Sequence, residues 1–107
     1  MTNKEIIKSI KERLTPFIEG AQYILYGSRA RGDYRDDSDV DLIILLPDEY
    51  TGKKFVDIQE KITEKLYQLE LEWQMKVEIS PVMLTKKMFQ SIVTPFTKNV
   101  TKEGIAL

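Results

Sequence analysis

Two aspartates, Asp39 and Asp41, stand where a polar segment meets an aliphatic run that ends at Leu46. Side chains two residues apart on a strand share a face, with their backbones about 6.6 Å apart. Two carboxylates about 5 Å apart repel each other by roughly 3 kcal/mol at an effective dielectric constant of about 20. A divalent cation that prefers oxygen ligands offsets this repulsion, and Mg²⁺ usually shares its coordination shell with phosphate oxygens. The pair therefore predicts a metal site at the mouth of a buried strand.

A glycine–serine pair, Gly27 and Ser28, precedes Asp39 with ten residues between them. Glycine permits a sharp turn after a strand, and free backbone N–H groups at the start of a helical turn can hold phosphate oxygens. Arg29 and Arg31 are close enough in sequence to add positive charge. A phosphate-binding turn beside a metal site is the equipment for phosphoryl or nucleotidyl transfer, which depends mainly on positioning and charge neutralisation.

An EF-hand is the first competing metal motif. Asp37, Asp39 and Asp41 occupy the first, third and fifth positions of such a loop, and Asp48 falls on the twelfth. Leu42 stands where the loop requires glycine, and aliphatic residues follow it. These two departures exclude the EF-hand.

A P-loop is the second competing motif, because Gly27 and Gly32 have the separation that this phosphate-binding loop requires. The loop also needs a lysine and then a hydroxyl residue after its second glycine. Asp33 and Tyr34 occupy those positions, so the P-loop is excluded as well.

The remaining polar residues are open to more than one interpretation. Arg29 and Arg31 either contact phosphate or balance the aspartates of a solvated loop. Glu78 lies between Val77 and Ile79 in an alternating segment. From the residues alone, a solvent-facing side chain is the favoured interpretation of this glutamate.

Composition limits the classes of protein that the chain can represent. Its 107 residues, 42% of them apolar and 31% charged, predict a single globular domain over residues 1–107. Cysteine and histidine are absent, so a general base must be a carboxylate or a lysine. The net charge of −1 argues against a partner made of long nucleic acid. The sequence shows neither the apolar stretch of a signal peptide nor an apolar run long enough to cross a membrane. We therefore expect a cytoplasmic protein that does not contact membranes.

The periodicity of apolar residues predicts an α/β (α+β) fold, a small mixed β-sheet with helices packed against it in the order α-β-β-α-β-α. Thr2 and Glu5 form a capping box for the first helix, Gly20 ends it, and Pro81 places the third strand at an edge or a bend. The tail is expected to form a short helix that stops at Gly104. The predicted elements are helices over 2–18, 51–73 and 85–93 and strands over 21–27, 40–46 and 75–84.

The segment "GSRARGDYRDDSDVDLIIL" resembles the minimal nucleotidyltransferases of the DNA polymerase β-like superfamily, and the ending "KNVTKEGI" is similar to theirs. The resemblance covers nearly the whole chain and implies a fold like the catalytic palm of those enzymes. It implies that Gly27 and Ser28 contact a nucleoside triphosphate and that Asp39 and Asp41 bind metal. It also makes Glu78 the third acidic ligand, at a position where the family more often has aspartate.

This resemblance implies a metal-dependent enzyme that moves a nucleoside monophosphate, AMP from ATP, to a hydroxyl group with release of pyrophosphate. Mg²⁺ or Mn²⁺ is the expected cofactor, and Glu78 would complete the site and help to deprotonate the acceptor. Such proteins often pair with a helical HEPN-type toxin, for which the nucleotidyltransferase is the antitoxin and can adenylylate a tyrosine of its partner.

Two alternatives remain open. The chain could be a catalytically inactive binding module that neutralises its partner by contact alone, and glutamate in place of aspartate at position 78 leaves room for this. It could also modify a small molecule such as an aminoglycoside. The absence of a second, substrate-recognising domain in the sequence argues against the small-molecule alternative.

Overall fold

A four-stranded mixed sheet forms the centre of the protein, with the strand order β3-β2-β1-β4. The computed structural model describes residues 1–92 and 94–107. The predicted fold class, a mixed sheet with helices packed against it, is confirmed. The elements are α1 (Asn3–Leu14), β1 (Gln22–Tyr26), α2 (Ser28–Arg31), β2 (Val40–Leu46), α3 (Gly52–Glu72), β3 (Ile79–Thr85), α4 (Lys86–Ser91), α5 (Pro95–Glu103) and β4 (Ile105–Ala106).

Strand β2 is the central strand, as predicted, and it pairs antiparallel with β1 and parallel with β3. Val40, Leu42, Ile44 and Leu46 are fully buried in a cluster with apolar residues of α1 and α3. The alternate residues Ile43 and Leu45 are buried in a second cluster, with Val100 of α5. Because both faces of the strand are covered, its sequence is a continuous aliphatic run rather than an alternation.

Helix α1 ends at Leu14, four residues earlier than predicted. Pro16 has no N–H group to continue the helical ladder, and its ring clashes with the carbonyl four residues before it. The N–H groups of Phe17 and Ile18 instead donate to the carbonyl of Leu14, at 2.9 and 3.2 Å. Ile18 is still buried, and this burial explains why the apolar spacing continues past the end of the helix.

The predicted capping residues are confirmed at both ends of the chain. Thr2 and Glu5 form the capping box of α1. The Thr85 hydroxyl accepts a hydrogen bond from the Met88 N–H at the start of α4, and Gly104 is the C-cap of α5.

The carboxyl-terminal region contains one element more than predicted, the strand β4. Helix α4 ends at Ser91, and Val93, predicted to lie in the same helix, is outside the described residues. The two residues of β4 pair antiparallel with β1 and were not predicted, since so short a strand has no alternation to detect. Strand β3 lies at the opposite edge of the sheet, as Pro81 indicated. No helix built from residues 1–92 or 94–107 has the length and apolar character needed to cross a membrane.

Candidate functional site

The turn between β1 and α2 lies directly against the Asp41 side chain. Gly27 has φ +73° and ψ −156°, a conformation that residues with a side chain rarely adopt. A Cβ atom at Gly27 would overlap the Asp41 carboxylate and lie 3.1 Å from its Cγ. Ser28 then begins α2, whose first N–H groups have no partner within the helix. The structure thus brings Gly27, Ser28 and Asp41 together, although twelve residues separate Ser28 from Asp41.

Asp39 lies close enough to Asp41 for its charge to affect the ionisation of the Asp41 carboxyl. Asp41 is the second residue of β2, and its side chain is partly buried, whereas Asp39 is exposed just before the strand. Burial raises the pKa of the Asp41 carboxyl, the charge of Asp39 raises it further, and the charge of Arg31 partly offsets both effects. Mg²⁺ and Mn²⁺ prefer the hard oxygen atoms of carboxylates, and a bound ion would favour the charged form of Asp41.

Glu78 lies beside Asp39 at the same end of the sheet. Its carbonyl accepts a hydrogen bond from the Val40 N–H at 2.8 Å, and Val40 pairs with Ile79 in the parallel ladder. Val77 and Ile79 are buried on the α1 and α3 side of the sheet. Because side chains alternate along a strand, Glu78 belongs to the opposite face, which it shares with Asp41.

The three predicted metal ligands do not form one cluster in the structure. Throughout residues 1–92 and 94–107, no three aspartate, glutamate, histidine or cysteine side chains are grouped so that they could hold a metal ion. Asp39 and Asp41 interact through their charges, and Glu78 is exposed. The role of Glu78 as the third ligand therefore stays a prediction.

Arg29, one of the two arginines predicted to contact phosphate, is bound within the protein itself. Only 3% of the residue is exposed, and its guanidinium group is held by acceptors of the chain itself. Nε donates to the Ser38 carbonyl at 3.0 Å, Nη2 to the Asp36 carbonyl at 3.0 Å and Nη1 to Asn3 Oδ1 at 2.7 Å. All three guanidinium nitrogens are bound within the chain, so Arg29 positions the segment that precedes Asp39, and its contact with phosphate stays a prediction.

We expect Arg29→Lys to lower the free energy of unfolding by about 2 kcal/mol, because lysine keeps the charge but cannot reach three separate acceptors. The midpoint of thermal unfolding should fall by roughly 10 °C. Arg35→Lys is the matched control, since the Arg35 side chain is exposed in the same segment. Equal midpoints for the two variants would contradict the positioning role.

Arg31 remains a candidate for contact with phosphate. The residue is exposed, and its guanidinium group forms ion pairs with Asp33 at 3.3 Å and with Glu103 at 3.4 Å. Its charge also lowers the pKa of Asp41, so it lies close to the predicted metal site. Exposed ion pairs contribute little to stability and exchange readily, which leaves Arg31 able to turn towards an anion.

Glu70 of α3 is an acidic residue near the site that was not singled out from the sequence. Its Oε2 accepts a hydrogen bond from the Ile79 N–H at 3.4 Å. Burial raises the pKa of the Glu70 carboxyl, this hydrogen bond opposes the rise, and the charges of Glu78 and Asp39 add to it. The apolar stripe of α3 could be predicted from the sequence, but the proximity of Glu70 to the start of β3 could not.

The raised pKa of Glu70 has a consequence for stability. The contribution of the Glu70 carboxyl to the free energy of unfolding is fully present below its ordinary pKa of 4.5. This contribution is lost as the pH rises through the pKa of Glu70 in the folded protein. Glu70→Gln keeps a side-chain oxygen as acceptor and removes the charge. In the presence of a chelator, we expect this variant to be more stable than wild type at pH 7 and to approach it below pH 4.5. Glu60→Gln, an exposed change on the same helix, should leave the difference near zero at both pH values.

Known proteins resemble the chain over nearly its whole length. The chain matches the family model of the nucleotidyltransferase domain over residues 4–107. It is also 32% identical over 105 residues to a protein of Methanocaldococcus jannaschii named "Putative protein adenylyltransferase", with 94% of each chain covered. The family match includes every residue discussed above as part of the site except Asn3, which contacts it through Arg29.

Proposed function

Because the chain belongs to the nucleotidyltransferase domain family and is a nucleotidyltransferase, we propose that it transfers AMP from ATP to a hydroxyl group of a protein. Membership of the family implies a nucleoside triphosphate as substrate. The observation that carries the proposal is the contact between the Gly27 turn and the Asp41 carboxylate. This contact joins a backbone able to hold phosphate to a side chain able to hold a metal ion, and phosphoryl-group chemistry needs both.

In this proposal each part of the site has a separate task. Asp39 and Asp41 hold Mg²⁺ or Mn²⁺, which when bound neutralises charge on the phosphate oxygens. The backbone at Gly27 and Ser28 seats the triphosphate, and Arg31 adds positive charge beside it. Arg29 secures the segment that precedes Asp39 through the carbonyls of Asp36 and Ser38.

The transfer itself exchanges one bond to phosphorus for another. The acceptor oxygen forms a bond to the α-phosphorus while the bond from that phosphorus to the bridging oxygen breaks, and pyrophosphate leaves. The hydroxyl proton goes to a carboxylate, for which Glu78 is proposed because the chain contains no histidine or cysteine. Its exposed position before β3 leaves it accessible to an acceptor.

The acceptor is proposed to be a protein, specifically a HEPN-type toxin that the chain neutralises as its antitoxin. Two observations support this proposal. The relative in M. jannaschii carries a name that specifies protein adenylylation, and the sequence resembles minimal nucleotidyltransferases that pair with such toxins.

A second candidate function is neutralisation of a partner by contact alone, without catalysis. The observation that favours it is the absence, in the described part of the chain, of a cluster of three metal-binding side chains.

Glu78→Gln separates the two candidates, because it removes the proposed proton acceptor and keeps the size of the side chain. The enzyme should lose transfer in this variant, whereas a binding module should neutralise its partner as before.

Calorimetry with ATP, with and without Mg²⁺ or Mn²⁺, tests the site before any acceptor is known. We expect ATP binding that requires the metal ion in wild type and in Glu78→Gln. Label from α-³²P-ATP should then appear on a co-expressed partner with wild type only. Metal-independent binding would contradict the metal assignment, and neutralisation of the partner without label would favour the binding module.

A further inference from the structure

An open groove of about 970 Å³ runs between α1 and the edge strand β4. Ile7 and Leu25 form its buried floor and belong to the core on the α1 side of the sheet. Ile105 and Leu107 form one wall and remain 45% and 38% exposed. Two exposed large apolar side chains beside a buried apolar floor, on one concave surface, are typical of a binding site for another molecule.

The opposite wall of the groove is positively charged. Lys4, Lys8 and Lys11 of α1 line it, at a spacing that places them on one side of the helix. Glu12 also lines the groove and lies 4.0 Å from the Lys8 ammonium group, and the Lys11 ammonium group lies 6.0 Å from the ring centre of Tyr23. Three lysines against one glutamate give the groove a net positive rim, which favours an occupant with carboxylates beside its apolar groups.

The backbone of β4 adds a second kind of contact along the same groove. The Leu107 N–H donates to the Tyr23 carbonyl at 2.9 Å, and Ala106 pairs with Ile24. In an antiparallel ladder, residue pairs that exchange hydrogen bonds alternate with pairs that do not. Leu107 is hydrogen-bonded to Tyr23, so the neighbouring pair of Ala106 and Ile24 is not, and the N–H and carbonyl groups of Ala106 point away from β1. An extended chain can pair with this free edge and direct every second side chain into the groove beneath α1.

We propose that this groove binds an extended segment of a partner protein that pairs with β4 and carries apolar side chains flanked by carboxylates. The apolar groups contact Ile105 and Leu107, and the carboxylates contact Lys4 and Lys8. The groove opens on the side of the sheet opposite to Asp41, so a bound segment leaves the nucleotide site free. The proposal does not depend on nucleotidyl transfer, and a catalytically inactive chain would bind the segment equally well.

Fluorescence anisotropy tests this chemistry on the intact chain, with a labelled eight-residue peptide in which leucine and glutamate alternate at every second position and serine fills the positions between them, so that leucine and glutamate share one face of the extended peptide. Two further peptides serve as comparisons, one with lysine in place of glutamate and one with serine in place of leucine. We expect the leucine–glutamate peptide to bind at least tenfold more tightly than either. Equal binding of the lysine peptide, or no saturable binding of the leucine–glutamate peptide, would overturn the proposal.

The variant Lys4→Glu/Lys8→Glu should weaken binding of the leucine–glutamate peptide by tenfold or more, and so should Ile105→Ser through loss of the apolar wall. Lys98→Glu/Lys102→Glu is the matched control, because it reverses two exposed lysines at the same spacing on α5 and should not change the affinity. A cooperative thermal unfolding transition, with a midpoint close to that of wild type, would show that the variants are folded. Equal affinities in the two lysine variants would contradict the assigned surface.

The same variants identify other occupants. Binding to phosphatidylserine vesicles that depends on Lys4 and Lys8, without peptide binding, would assign the groove to a membrane surface and overturn the proposal. Reversible self-association in sedimentation experiments that Ile105→Ser abolishes, again without peptide binding, would assign it to a second copy of the chain. Peptide binding alone, with neither of these, supports a partner protein.

Discussion

Asp41→Asn is expected to reduce the rate of nucleotidyl transfer by roughly 10²- to 10³-fold without unfolding the protein. Asparagine has nearly the shape of aspartate and keeps the contact with the Gly27 turn, but it carries no charge to hold a metal ion. The measurement is transfer of label from ATP to the acceptor, together with the requirement of ATP binding for Mg²⁺. The comparison protein is Asp37→Asn, which removes one carboxylate from an exposed position in the same segment.

The same substitution should make the protein more stable when metal is removed by a chelator. Burial and the charge of Asp39 raise the pKa of the Asp41 carboxyl, so the ionised side chain opposes folding at neutral pH. In wild type, the contribution of Asp41 to stability is fully present below its ordinary pKa of 3.8 and is lost as the pH rises through the folded-state value. Asp41→Asn should lack this loss and should unfold at a higher temperature than wild type at pH 7.

Lower activity combined with higher stability distinguishes a functional carboxylate from a structural one. A structural Asp41 would lose stability when neutralised, and any loss of activity would follow from unfolding. Added Mg²⁺ should stabilise wild type, since a ligand that binds only the folded state raises its stability, and should have little effect on Asp41→Asn. Equal stabilisation of both proteins by Mg²⁺ would place the metal ion elsewhere.

The parts of the fold that were predicted correctly have local signals in the sequence. Strand β2 was predicted with its observed bounds, because aspartates precede its aliphatic run and Pro47 ends it. The end of α1 was predicted too late, since buried Ile18 continues the apolar spacing beyond Pro16. Strand β4 consists of two residues, and its pairing with β1 depends on contacts across the chain that no local pattern records.

The site likewise has some features that could be predicted from the sequence and others that depend on contacts between distant residues. The proximity of Gly27, Ser28 and Asp41 was predicted from residue types and spacing, and the structure brings these residues together. An exposed arginine and a buried one have the same sequence signal, so the internal hydrogen bonds of Arg29 could not be foreseen. Glu70 reaches Ile79 only because of the way α3 packs on the sheet, which depends on the whole core.

The second large effect is expected for Gly27→Ala, which should lower the free energy of unfolding by about 2 kcal/mol or more and abolish transfer. Two causes contribute to this effect. The positive φ of Gly27 is unfavourable for alanine, and the added methyl group would overlap the carboxylate of Asp41. To relieve the overlap, either the turn or the Asp41 side chain must move, and both are part of the proposed site.

Gly32→Ala separates these two causes. Gly32 has φ +88°, but a Cβ atom there meets nothing within 4 Å, so this variant carries the backbone strain without the overlap. We expect it to lose about 1 kcal/mol and to retain transfer activity. Thermal unfolding and label transfer should be measured for both variants, and equal losses of stability would show that the contact with Asp41 is unimportant.

The double variant Gly27→Ala/Asp41→Ala tests the contact directly. Removing the carboxylate leaves room for the new methyl group, so the double variant should be more stable than the sum of the two single changes predicts. Residues in contact typically show such coupling energies, of about 0.5–3 kcal/mol. Activity should not return, because the carboxylate itself is missing. Recovery of stability would show that Gly27 is required so that the Asp41 side chain can lie against this turn.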